Sequence, residues 1–95
     1  MIDRGPRLSL NGTDPKDLMA QRLAVMDALR AAEQALAAMY PNGRDYIDEP
    51  DAFRQARDEH EGWQQQVRAI REAVHVQALA IREQQDAREA RRAGR

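Results

Sequence analysis

Phe53, Ala56, His60, Trp63, Val67, Ile70, Val74, Gln77 and Ile81 follow one another at alternating spacings of three and four. That is the period of a helical stripe that packs lengthwise on another helix. A second stripe runs through Leu18, Val25, Leu29, Ala32, Leu36 and Met39, widened by Met19, Leu23 and Met26. The two stripes are separated by Pro41, Asn42 and Gly43, which stop a helix. The pattern therefore predicts an all-α chain: an antiparallel, coiled-coil-like hairpin with helices over 15–40 and 51–92, a loop over 41–50 and a short tail over 93–95. Residues 1–13, with Gly5, Pro6, Asn11 and Gly12 around Leu8 and Leu10, read as an extended N-terminal arm.

The helix starts carry specific signals. Asp14 is placed to cap the first helix, with Pro15 at its first position and Asp17 in its first turn. Asp48 is placed to cap the second, with Ile47 where a hydrophobic staple would sit. Asn42 and Gly43 suit the left-handed backbone of a helix C-cap. If the loop pairs Tyr40 with Asp51, Leu18 falls opposite Val74, and Val76, Leu79, Ala80 and Ile81 lack a partner on the first helix. The expectation is that the Leu8–Leu10 arm and a second subunit cover them, and that the protein is a homo-oligomer. A lone two-helix hairpin is also small for independent stability.

Composition narrows the function classes. With no cysteine there is no disulfide or thiolate metal site, and no apolar run is long enough to span a membrane. A soluble, cytoplasmic protein without a membrane partner is expected. The formal net charge is −1, so nucleic acid is not an expected partner. Charge is nonetheless polarised: residues 41–61 hold seven acids and three arginines, whereas residues 82–95 hold five arginines and three acids. This suits the dipole of the second helix.

Candidate chemistry concentrates around the loop. Arg44, Asp45, Tyr46, Arg54, Arg57 and His60 form the predicted ligand- or partner-binding set: paired arginines suit a phosphate or carboxylate, and tyrosine suits a planar base. The competing structural account pairs Arg44 with Asp48 or Asp51, and lets Tyr46 and Ile47 plug the end of the hairpin. His60, on the stripe, is a core or interface histidine with Glu33 as a candidate partner. Trp63, Val67, Ile70, Val74, Leu79 and Ile81 are the predicted interface, and Gly62 beside Trp63 suggests close helix approach.

Catalytic sets do not assemble. Ser9 and Thr13 are the only hydroxyl nucleophiles besides tyrosine and lie far from either histidine, so no enzyme is expected. Asp45, Asp48, Glu49 and Asp51 lack calcium-loop spacing. Glu72 and His75 have the Glu-x-x-His spacing of ferritin-like metal sites, without the further inward carboxylates such sites need. No metal or other cofactor is expected.

The Asn42-Gly43-Arg44-Asp45-Tyr46 loop, followed by Ala52-Phe53-Arg54-Gln55-Ala56, resembles a class of short helical-hairpin proteins of bacteriophages and prophages. In architecture the chain is also similar to phage anti-defence sponges, homo-oligomers that sequester nucleotide immune signals of the host without cleaving them. The resemblance implies a phage-encoded protein of the bacterial cytoplasm that modulates its host by sequestration or blocking. Its cargo would be a nucleotide-like signal or a host protein. The alternatives are a structural or scaffold assembly element and a metal-dependent helical oligomer.

Overall fold

A computed structural model describes residues 3–94. Two helices form the hairpin: α1 over Pro15–Ala38 and α2 over Pro50–Ala93, joined by a loop containing a short 3-10 turn, Gly43–Tyr46. No strand occurs among the described residues. At about 1.5 Å per residue α1 is about 36 Å long and α2 about 66 Å, and the molecule extends 73 Å along its long axis.

α1 begins as the sequence predicts. Asp14 accepts from the backbone N–H of Lys16 at 2.8 Å, with Pro15 in the first turn. The connection differs. Asn42 is extended and its side chain caps the 3-10 turn through Arg44 N–H at 3.1 Å, so it does not serve as a left-handed C-cap. Asp48 takes the left-handed conformation itself, at φ 65°, and Glu49 becomes the residue that precedes α2. Aspartate tolerates that region better than most side chains. Ile47, the expected staple and plug, is 72% exposed. Tyr46 instead does the plugging, with its ring 5.7 Å from that of Phe53.

Because the loop packs on the first turns of α2, α1 meets α2 ten residues further along than the expected register. Tyr40 reaches Glu61 rather than Asp51, its hydroxyl donating at 2.8 Å. Glu33 accepts from Arg71 Nε at 2.5 Å and from its NH2 nitrogen at 3.3 Å. Arg22 donates to Gln77 Oε1 at 3.2 Å. This slide carries α1 down to the level of Arg82–Arg92, where Pro15 lines a shared surface cleft. The C-terminal half of α2 therefore has a helical partner within the chain, and the length-based case for a covering subunit falls.

The packed rows of α2 are His60, Val67, Val74, Ile81 and, alongside them, Gln64, Arg71, Ala78, Gln85, all buried or half-buried. The stripe predicted by the spacing contains the first row and Gln77, which meets Arg22 of α1, but it puts exposed Trp63 and Ile70 in place of half-buried Gln64 and Arg71 and buried Ala78. Ile81 is fully buried, with Ala78 and Leu18 completing a small apolar core. The arm lies extended along α2, as expected. Gln84 Oε1 accepts from Leu8 N–H at 2.8 Å and Gln84 Nε2 donates to Pro6 C=O at 3.1 Å. Gly5, at φ 85°, permits this approach, because a Cβ there would sit 3.0 Å from Gln77. Leu8 is half-buried, whereas Leu10 is 98% exposed.

Two ion pairs join the helices among the described residues, both to Glu33: Arg71 and, at 3.9 Å, Arg68. The Arg71 hydrogen bond holds the Glu33 carboxyl below its ordinary value near 4.5. A depressed carboxylate contributes stability that is complete above the unfolded value and is lost as pH falls through the folded one. Thermal melts should therefore show Glu33→Gln lowering the melting temperature at pH 7 while flattening its decline below about pH 4.5. Equal acid sensitivity of variant and wild type would refute that role.

Candidate binding groove and cleft

The two flanks of the hairpin differ in chemistry. One is closed by Glu33, Arg68 and Arg71. The other is open and apolar: Val25 of α1, Met39 at its C-cap, and Trp63 and Ile70 of α2 are all exposed there, Ile70 at 53%. Trp63, Ile70 and Gln77 are spaced by seven and so form one row. At one end of the row Val25, Val74 and Gln77 line a shallow depression. At the other, Met39 and Trp63 share a cleft. The open groove between Trp63 and Gln77 is about 21 Å long. The arm ends it on one side, where Gln77 Nε2 donates to Asp3 at 3.4 Å.

The loop closes the other end. Here a cleft of about 320 Å³ is lined by Tyr40, Asn42, Asp45 and Tyr46 from the connection and by Glu59, His60 and Trp63 from α2. His60 is 1% exposed, held between the Tyr40 ring at 5.1 Å and the Trp63 ring at 5.9 Å. Its Nε2 has no hydrogen-bond partner among the described residues. Glu33, proposed from sequence as that partner, is occupied by Arg71, because the register is shifted. Glu61 holds the Tyr40 phenol above its ordinary value by accepting its proton in a hydrogen bond.

Of the six residues predicted to bind, Asp45, Tyr46 and His60 converge on this cleft. The three arginines do not line it. Arg54 pairs with Asp51 at 3.1 Å, Arg57 lies 4.8 Å over the Phe53 ring, and Arg44 is exposed. Arg44 pairs with neither Asp48 nor Asp51 among the described residues. Of the predicted interface, Val67, Val74 and Ile81 pack within the hairpin, Trp63 and Ile70 line the open groove, and Leu79 is exposed. Glu72 and His75 are both exposed, and among the described residues no three potential metal-ligating side chains converge.

Gly62 breaks the expectation of close packing inside the chain: a Cβ there would meet nothing within 4 Å. Reasoning from sequence missed Met39, Glu59 and Asn42 as cleft residues. A consistent signal was available only for Met39, which ends the α1 stripe. No helix among the described residues is long and apolar enough to cross a membrane. Compared with protein-family models, curated proteins and solved structures, the chain matches none.

Proposed function

We propose that the protein is a non-enzymatic helical binding protein that first associates with a second copy of itself through the open groove. The supporting observation is the row of exposed Trp63 and Ile70 beside exposed Val25 and Met39, next to a core of, among the described residues, three buried apolar side chains, Leu18, Ala78 and Ile81. Contiguous apolar surface of this kind marks an interaction site.

Charge selects the arrangement. An antiparallel copy, with its two-fold axis near Ile70 in the middle of the groove, sets the acidic 41–61 end of each chain against the arginine-bearing end of the other. That end includes Arg88, Arg91 and Arg92, and Arg4 and Arg7 of the arm. A parallel copy would set like charges together. Sedimentation across protein concentration should give a dimer that weakens in about 1 M salt, where screening reaches about 3 Å. A monomer at every concentration would overturn the reading.

The paired helices then present the loop ends to a cargo. Of the two cargoes the sequence suggests, a host protein fits better than a nucleotide-like signal, because Arg44, Arg54 and Arg57 stand outside the cleft and leave a phosphate without its pairing groups. Acting this way, the protein would sequester or block its target. The scaffold reading shares the self-association and differs in having no further partner. Affinity capture with the wild type and with a variant confined to the loop end separates the two: a target lost only when the loop is altered supports binding.

A further inference from the structure

We propose that the cleft between the Asn42–Tyr46 loop and α2 binds an organic cation, a guanidinium or alkylammonium group, through Asp45, Glu59 and the rings of Tyr46 and Trp63. This goes beyond the self-association reading and stands without it. Three observations carry it. Neither carboxylate has an ion-pair partner among the described residues, Glu59 accepting only from Gln55 Nε2 at 3.5 Å, and no arginine or lysine lines the cleft. Of the neighbouring arginines, Arg54 is engaged with Asp51 and Arg57 over Phe53, and exposed Arg44 does not line the cleft. The third is His60, which lines the same cleft, is 1% exposed and has an Nε2 without a partner among the described residues.

Buried polar atoms are normally paired, and an exception calls for a cause. In its Nδ1–H tautomer His60 offers Nε2 as an acceptor, and carboxylates only accept. What is missing is therefore a ligand rich in N–H donors and positive in charge. Guanidinium offers five donors and no acceptor, and aromatic faces attract cations further. At about 320 Å³ the cleft is at the small end of organic-ligand sites, and far larger than a metal ion needs.

Trp63 is the only tryptophan, so its fluorescence reports on the cleft directly. Titration with agmatine at low ionic strength should give a saturable change that fades in about 0.5 M salt. The double variant D45N/E59Q should weaken it about ten-fold or more; both positions are exposed, so the fold is spared. His60→Leu should also weaken it without lowering the melting temperature, a combination that a purely structural histidine would not give. Sedimentation with agmatine present identifies the source of the natural cation. Loss of self-association would assign it to an arginine of the second copy, and unchanged mass to a diffusible amine. No saturable response, with self-association equal in wild type and D45N/E59Q, would overturn the proposal. So would a response to adenosine 5′-phosphate that agmatine does not produce.

Discussion

Ile81→Ala should destabilise the protein by about 2–4 kcal/mol, the range for truncating an enclosed isoleucine. Ile81 is 0% exposed, in the packed row of α2 and three residues before Gln84, which holds the arm. Removing its side chain leaves a cavity there. Alanine's better helix propensity returns only a few tenths of a kcal/mol. For a domain of this size, each kcal/mol moves the melting temperature by about 4–8 °C, so a drop of about 8–32 °C is expected. Leu79→Ala, two residues away and exposed, is the control and should stay within about 0.5 kcal/mol. Similar losses at both positions would show that Ile81 is not enclosed in this way.

Ile70→Asp should convert the self-associated protein to monomer. Near the two-fold axis the substitution acts twice, removing apolar contact and bringing two carboxylates together where water is excluded. A weakening of about 100-fold or more corresponds to about 2.7 kcal/mol or more, within reach of such a change. The hairpin itself should survive, because Ile70 is 53% exposed within it. Sedimentation of Ile70→Asp beside Leu79→Asp checks this, with only the first expected to lose mass. The melting temperature of the wild type should also rise with concentration, and that of Ile70→Asp should not. Ile70→Asp sedimenting like the wild type would remove the groove from the interface.

Much of this architecture was legible in the residues. The stripes, the Asp14 cap and the Pro41–Gly43 stop place both helices within a residue or two, since local chemistry decides them. The register was not legible, because it depends on where the loop goes. Asp48 turning left-handed and Tyr46 packing on Phe53 consume the first turns of α2 and slide every later pairing. That slide reassigns Glu33 from His60 to Arg71. Arg71 and Gln64 look solvent-facing in sequence, whereas Trp63 and Ile70 look buried; pairing of Arg71 with a glutamate 38 positions away reverses both. The candidate site followed the same logic. Asp45, Tyr46 and His60 were found by type and proximity, while the arginines were placed with them by proximity alone and have other neighbours.

The grip of Gln84 on the arm has a consequence of its own. Its amide engages only main-chain atoms, the C=O of Pro6 and the N–H of Leu8, much as a neighbouring strand would. The side chains of Arg4 and Arg7 take no part in it. Charge at this end of the molecule can therefore be raised, lowered or reversed by substitution at those two positions while the arm keeps its path, which makes it an adjustable surface mounted on a fixed rail.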